Sequence, residues 1–183
     1  MDKAASLDRD AWLKGALRAL ADDGPAAVRA EALARRLKVT KGSFYWHFSD
    51  FADFRDRLLE FWEQLAYRRF LDALAGIDDP AARLRMLTHL AVTCGDADLG
   101  GPAMEPALRA WARTEPAVAA RVAHIDRLRL EEIARMAAAA GLSPEAGGLI
   151  YAAILGFGQL AEIGDPARIR AMDRLLDALS GTA

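Results

Sequence analysis

The chain has 183 residues, of which 53% are hydrophobic, and its 24 Lys and Arg residues are opposed by 26 Asp and Glu residues. This composition provides a buried core for one or two domains, and the near balance of charge does not by itself indicate a nucleic-acid-binding protein. A single cysteine, Cys94, excludes an internal disulfide, and the His and Cys spacing predicts no metal site.

Helix signals occur along the whole chain, and no stretch shows the sustained polar–apolar alternation of a strand, so we predict an all-α fold. The first helix begins at Asp8, a good N-cap residue, and ends at Gly24-Pro25. Its apolar face consists of Trp12, Leu13, Ala16, Leu17 and Leu20. This face is predicted to cover the two short helices that follow.

The second helix is short, and Arg35 and Arg36 occupy its solvated side. Its buried side is predicted to contain Val28, Ala32, Leu33 and Leu37. Thr40 is placed to cap a third helix, whose Phe44 and Phe48 are four residues apart and therefore share a buried face. The polar and aromatic residues between them are left to face outward.

Positive charge is concentrated around these two short helices. Between Arg29 and His47 there are five basic residues and one acidic residue, Glu31, which gives 5 − 1 = +4. The whole chain carries −2, so the remainder carries −2 − 4 = −6. A basic head on an acidic body is expected of a protein that reads DNA with one part and does something else with the other.

The rest of the chain is predicted to form six further helices separated by Gly, Pro and capping residues. They cover about 51–75, Asp79-Pro80 to Cys94, 102–113, a segment capped by Thr114 that runs to Gly141, and two helices that begin at Ser143-Pro144 and Asp165-Pro166. The stretch Gly95 to Gly101 is predicted to be a mobile loop.

Gly156 and Gly158 lie inside one predicted helix, where each glycine costs about 1 kcal/mol relative to alanine. Close approach of another helix would offset this cost. The spacing alone leaves two alternatives open, which are a self-association face and close packing within the monomer.

Several residues of the head together resemble a known family. The run Leu33-Ala34, Val39-Thr40 and KGSFYWHF (41–48) follows an amphipathic helix and precedes a long one. It resembles the DNA-binding head of the TetR family of one-component bacterial transcription regulators. The motif covers roughly the first third of the chain, and the remainder matches only in helical pattern and length.

The resemblance implies a helix-turn-helix DNA-binding domain at 1–50 and an α-helical effector-binding and dimerisation domain at 51–183. It implies a ligand-responsive regulator, in most cases a repressor, that binds a palindromic operator as a homodimer and needs no cofactor. The last two helices would pair with those of the partner.

The resemblance also implies roles for individual residues of the head. Lys41 and Ser43 would contact base edges and nearby phosphates, and the other positions would contact the DNA backbone or allow its close approach. The predicted DNA-binding residues are Arg29, Lys38, Thr40, Lys41, Gly42, Ser43, Tyr45, Trp46 and His47. Trp46 has two alternatives, since it could lie over the sugar-phosphate backbone or fold back onto the head.

Three positions depart from the family pattern. Lys38 stands where the family usually has a turn glycine, so a left-handed backbone there would cost about 1 kcal/mol. Arg29 stands where a threonine often caps the second helix, and Phe51 replaces a common lysine. The phosphate contact expected at position 51 is therefore not assigned.

The body residues are predicted more loosely. The resemblance implies a cavity for a small, mostly apolar effector, lined by Trp62, His89, Trp111 and Tyr151, although ordinary core packing is the alternative for each. The predicted dimer interface consists of Leu149, Ala153, Gly156, Leu160, Ile169, Met172 and Leu176.

Other classes of function have less support. His89 and Cys94 are five residues apart on one predicted helix and would point about 140° apart, so they do not form a nucleophile and base pair. There is no glycine-rich phosphate loop. We therefore predict that the protein is not an enzyme. A helical protein-interaction module that has lost DNA binding remains the alternative to a regulator.

Two absences bear on location. The N-terminal stretch MDKAASLDRDAW lacks the apolar core of a signal peptide, and the longest uncharged run, Gly147 to Ala161, is shorter than the ~20 residues of a membrane span. We therefore expect a cytoplasmic protein with no membrane partner.

Overall fold

The computed structural model describes residues 7–93, 100–160 and 163–181, without the side chains of residues 66–71, and this part of the chain contains helices and no strand. The α-helices are α1 (Arg9–Asp23), α2 (Ala30–Arg36), α3 (Lys41–Tyr45), α4 (Phe51–Leu74), α5 (Pro80–Thr93), α6 (Met104–Ala112), α7 (Pro116–Ala139), α8 (Ala146–Gln159) and α9 (Asp165–Ser180). The all-α prediction is confirmed. No helix within the described ranges is long and apolar enough to cross a membrane.

Packing divides the chain into two compact units. The first contains Met1–Leu65 and Gly95–Val122, and the second contains Ala66–Cys94 and Ala123–Ala183. Helices α4 and α7 each contribute residues to both units. The predicted domain boundary after residue 50 is placed at the end of the sequence motif, and the two packing units do not correspond to it. It stays a prediction.

Helix α1 is set by its two ends. The Asp8 carboxylate accepts a hydrogen bond from the Ala11 N–H at 2.7 Å, which satisfies a donor that the first turn leaves open. At the other end Gly24 adopts φ 76°, and its N–H donates to the Leu20 carbonyl. Between these ends the predicted apolar face is buried, with Trp12, Leu17 and Leu20 fully enclosed. The predicted bounds of this helix are confirmed.

Helix α2 packs closely on α1. A Cβ atom at Gly15 would lie 2.7 Å from Leu37 Cδ2, so the Leu37 side chain packs directly on the α1 backbone and would have to move if position 15 carried a larger residue. Leu33 and Ala34 are the buried residues of α2. Val28 is also buried but precedes the helix, which begins at Ala30, so its predicted place on α2 is corrected to the preceding turn.

The second unit is organised around α5, α8 and α9, which contact one another. Its core includes Leu84, Ile150, Met172 and Leu176. Met172 is 0% exposed and Leu176 5% exposed, so these two predicted interface residues have no surface left to offer a partner. The structure assigns them to the core because they lie on the inward side of α9.

Arg168 holds two helix ends of the second unit. This side chain is buried, and its guanidinium donates to the carbonyls of Val92 at 3.2 Å and Leu160 at 2.8 Å. Both carbonyls lie at helix C-termini, where the last four acceptors of a helix have no partner within it. Arg168 therefore adds a donor at the end of each helix, and the Leu160 carbonyl also accepts from the Ile163 N–H at 3.2 Å.

Two predicted element boundaries differ from the structure, and a third prediction falls largely outside the described residues. Helix α8 begins at Ala146 rather than at Ser143-Pro144, because those two residues form the preceding turn. The Thr114 hydroxyl donates back to the Trp111 carbonyl at 3.2 Å instead of capping α7. The predicted loop Gly95 to Gly101 falls largely on residues 94–99, which lie outside the described ranges.

The glycines of α8 fall into two groups. A Cβ at Gly147 would lie 2.7 Å from the Ala134 Cα atom, so α7 and α8 are in backbone contact there. A Cβ at Gly156 or Gly158 would meet no atom within 4 Å among the described residues. Close packing within the monomer therefore accounts for Gly147 but not for Gly156 and Gly158.

Two alanine substitutions on α8 test this contact, and we expect opposite signs. Gly147→Ala should lower the free energy of unfolding by about 1–3 kcal/mol, because the new methyl group overlaps the α7 backbone. Gly148→Ala is the matched control on the same helix, and it should raise stability by up to about 1 kcal/mol since nothing lies within 4 Å. Urea unfolding at equal protein concentration measures both. A stabilised Gly147→Ala variant would show that the two helices are not in contact at this point.

Candidate nucleic-acid interface

An aromatic cluster holds helix α3 in place. The Phe44 ring lies 5.5 Å from that of Trp12, 5.0 Å from that of Phe48 and 5.1 Å from that of Phe54, measured between ring centroids. Phe44, Phe48 and Phe54 are all buried. Edge-to-face rings at these distances attract one another and also exclude water. The cluster therefore determines which side of α3 faces outward, and the predicted inward role of Phe44 and Phe48 is confirmed.

The outward side of α3 carries the residues that the sequence predicts for DNA contact. Lys41 and Tyr45 are exposed, and Ser43 is half-buried. Trp46 is 90% exposed, so it does not fold back onto the head. Trp46 and His47 lie in the turn after α3, because the helix ends at Tyr45. One short segment therefore presents cationic, hydroxyl, phenol, indole and imidazole groups together.

Thr40 and Gly42 have weaker structural roles than predicted. Thr40 occupies the N-cap position of α3, but its hydroxyl makes no capping hydrogen bond. A Cβ at Gly42 would meet only the Thr40 Oγ1 atom, at 3.8 Å. The described fold therefore requires neither side-chain capping by Thr40 nor a glycine at position 42, and the DNA contacts of these two residues stay predictions.

Lys38 has the backbone conformation that its position in the turn predicts. Its φ is 56°, the left-handed region that glycine adopts without strain and lysine adopts at a cost of about 1–2 kcal/mol. The turn is closed by the Val39 N–H, which donates to the Ala34 carbonyl at 3.0 Å. The chain therefore retains a tight turn between α2 and α3 without the usual glycine.

The basic residues of the head are not equivalent. Arg36 is paired with Asp22 and, at 2.7 Å, with Asp23, while Lys41 Nζ lies 2.6 Å from Glu31 Oε1. In the part of the chain that the structure describes, no ion pair involves Arg29, Arg35 or Lys38. These three are therefore the cations available to phosphate without breaking a pair.

The pairing of Arg36 could not be read from the charge count. Asp22 and Asp23 lie outside the window from Arg29 to His47, and only the packing of α1 on α2 brings them to Arg36. The +4 of that window therefore overstates the free positive charge.

Between α2 and α3 the surface forms an open depression of about 420 Å³, lined by Glu31, Ala34, Arg35, Val39 and Lys41.

The predicted effector-lining residues are distributed over both units. Trp62 and Trp111 are buried in the first unit. In the second unit His89 Nε2 lies 2.7 Å from Asp173 Oδ1, and the Tyr151 hydroxyl donates to Asp126 at 2.6 Å. Both polar groups thus have carboxylate partners within the protein.

The environments of Tyr151 and Asp173 set their protonation states. Burial and the hydrogen bond to Asp126 raise the pKa of Tyr151 to about 12, so the phenol stays a neutral donor. Burial acts to raise the pKa of Asp173, but hydrogen bonds from Arg85 and His89 outweigh it and lower that pKa. No group of three or more His, Cys, Asp or Glu side chains within the described ranges could hold a metal ion.

The other predicted interface residues lie at the surface. Leu149 and Leu160 are exposed large apolar residues, and Gly156 is exposed between them on α8. Ala153 and Ile169 are half-buried. An exposed apolar strip along one helix is typical of a surface that a partner covers.

Comparison with known proteins identifies the head. Residues 13–54 match the family described as bacterial regulatory proteins, tetR family. Residues 13–54 therefore form a head of the type found in the TetR family of bacterial regulatory proteins. The matched segment contains α1 from Leu13 onward, α2, α3 and the start of α4, and it includes Phe44, Phe48 and Phe54 of the aromatic cluster, while Trp12 immediately precedes it.

Individual relatives of this regulator agree with that assignment. Transcriptional regulator AcuR from Cereibacter sphaeroides is 35% identical over 89 residues, which cover 48% of this chain and 40% of the relative. A protein from Rhodococcus sp., assigned to the TetR family, has a TM-score of 0.76 at 22% identity and covers 93% of this chain and 97% of that one.

A third relative was solved with a small molecule. This protein from Saccharomonospora viridis, assigned as a transcriptional regulator and solved in complex with choline, has a TM-score of 0.79 at 19% identity. The match covers 92% of this chain and 95% of that one. At such identities the two structural likenesses establish the fold alone. The family that the head matches consists of regulatory proteins and not of enzymes, which agrees with the prediction made from the sequence.

Proposed function

We propose that this regulator is a ligand-responsive repressor that binds a palindromic operator as a homodimer in the cytoplasm. One observation carries the proposal: a buried aromatic cluster orients α3 so that its polar side faces outward beside the unpaired cations Arg29 and Lys38. Cations without an ion pair beside an exposed short helix favour a partner that carries phosphates over a protein partner.

The exposed side of α3 suits the major groove. Lys41 and Ser43, on the first turn, would donate to base edges, and a lysine pairs best with the O6 and N7 acceptors of guanine. Tyr45, Trp46 and His47 come later in the segment and would contact the backbone. Arg29 and Lys38 would add phosphate contacts from the start of α2 and from the turn.

The open strip on α8 supports a homodimer. Leu149, Gly156 and Leu160 are exposed, and nothing within the described part of the monomer occupies the space over Gly156. A second copy of α8 could approach closely there, and Ala153 and Ile169 would border the contact. Two heads related by a twofold axis would then read half-sites about 34 Å apart.

The choline complex of the S. viridis relative supports an effector site in a body of this architecture. For this chain we propose a small, mostly apolar molecule, since Trp62 and Trp111 are buried aromatic residues. The polar atoms of His89 and Tyr151 in the second unit already have carboxylate partners, so they would not be the groups that bind a polar effector. Ligand binding would favour a head spacing that no longer matches adjacent major grooves.

Lys41→Ala tests base reading. We expect affinity for an operator duplex, selected from a random pool by the wild-type protein, to fall about tenfold to a hundredfold, because a donor to a base edge is lost. Lys14→Ala is the control, since Lys14 is an exposed lysine on α1. Fluorescence anisotropy at fixed salt measures both. Wild-type affinity in the Lys41→Ala variant would remove Lys41 from the interface, and the absence of salt-sensitive binding by any form would favour an interaction module.

Gly156→Glu tests the dimer. A carboxylate placed in the proposed contact would have to be buried without a partner, so the variant should sediment as a monomer. Ala81→Glu is the matched control, because it adds the same charge at an exposed position of α5. Sedimentation velocity over a range of concentrations separates the two outcomes. A Gly156→Glu variant that sediments like the wild type would place the dimer contact elsewhere.

A further inference from the structure

Glu31 is an acidic side chain in the middle of the proposed DNA surface. It lies on α2, and its Oε1 atom is 2.6 Å from Nζ of Lys41, the first residue of α3. Both side chains are largely exposed. The hydrogen bond between them lowers the pKa of Glu31 and raises that of Lys41, so both stay charged at neutral pH.

The pair changes what Lys41 can offer to DNA. The Lys41–Glu31 pair as a whole carries no net charge, so a phosphate that approaches the ammonium also meets the negative carboxylate. A lysine has three N–H donors, so Lys41 can keep Glu31 and still donate to a neutral base acceptor. Pairing with Glu31 therefore weakens a contact of Lys41 with a base edge less than it weakens a contact of Lys41 with a phosphate.

We propose that Glu31 is a specificity-determining residue that holds Lys41 for base contact and withholds it from phosphates. The proposal rests on the DNA-binding function proposed above. Non-specific affinity comes almost entirely from cations that neutralise phosphates and release counterions. By removing one such cation from each head, Glu31 lowers binding to the wrong sequences more than binding to the operator.

The other acidic residues near the helix-turn-helix do not have this position. Asp22 and Asp23 pair with Arg36, whose side chain is on α2 and not on α3. Glu31 also lines the depression between α2 and α3 together with Arg35 and Lys41. Glu31 is therefore the acidic residue of the described head that contacts the base-reading segment directly.

The experiment compares Glu31→Gln with the wild type on two duplexes, the selected operator and a scrambled sequence of equal length, over a series of salt concentrations. We expect affinity for the scrambled duplex to rise about threefold to tenfold, and the slope of log affinity against log salt to steepen by about 1 per head. The operator should gain less, so that the ratio of the two affinities falls.

Glu60→Gln is the matched control, because it removes the same charge from an exposed position on α4 within the same unit. Its affinities and slope should stay close to those of the wild type. The Lys41→Met background tests whether Glu31 acts through Lys41. If it does, the effect of Glu31→Gln should disappear in that background. Thermal unfolding of all variants verifies that they are equally folded.

Two results would overturn the proposal while leaving the proposed function intact. One is a wild-type protein that binds the operator but whose affinity ratio and salt slope do not change on Glu31→Gln. The other is an effect of Glu31→Gln that persists in full in the Lys41→Met background, since Glu31 would then act on DNA by itself. Loss of salt-sensitive binding in every form would instead refute the DNA-binding function.

Discussion

The packing of Phe44 between Trp12, Phe48 and Phe54 is the interaction on which the rest of the head depends. It draws residues from α1, α3, the turn that follows and α4 into one buried cluster, and each ring lies within 5.5 Å of the Phe44 ring. Helix α3 has only five residues and could not keep its structure alone, because isolated helices of this length are unstable in water. Tertiary packing therefore determines both that α3 forms and which side it exposes. The DNA-contact surface is what remains of this segment once its two phenylalanines are buried.

Some basic residues of the head are held in ion pairs, and others are not. Arg36 is tied to Asp22 and Asp23 across two helices, and Lys41 is tied to Glu31, while Arg29, Arg35 and Lys38 have no ion pair in the described part of the chain. In the proposed function the unpaired cations would supply affinity for any duplex, and the paired Lys41 would supply discrimination between sequences. This division suits a regulator that must leave non-specific DNA quickly and still stay on its operator. It also agrees with an overall charge of −2, which would not hold a protein on DNA by itself.

The sequence predicted local features well and tertiary ones less well. Asp8 and Gly24 bound α1 as expected because capping depends on residues a few positions apart. Lys38 adopts φ 56° because the turn requires a left-handed residue whatever stands there. The ion pairs of Arg36 and Lys41 join residues 10 to 14 positions apart, and nothing in the local pattern indicates them. Met172 and Leu176 were predicted at an interface because α9 was expected to pair, but the rotation of a helix about its axis is set by its neighbours. For Gly156 and Gly158 the structure shows no close packing within the described monomer, whereas it shows backbone contact at Gly147, for which the sequence made no prediction.

The central claim is that the exposed side of the α3 segment meets DNA, and Trp46 allows the most direct measurement of it. Trp46 is 90% exposed, whereas Trp12, Trp62 and Trp111 are buried, so a neutral quencher such as acrylamide should reach mainly Trp46 in the free protein. The quenching constant should be measured for the wild type and for Trp46→Phe, free and with saturating operator duplex. If the exposed side of the α3 segment meets DNA, saturating operator should lower the quenching constant of the wild type to that of Trp46→Phe. A wild-type constant that is unchanged at saturation would show that DNA binds elsewhere and that this claim is wrong.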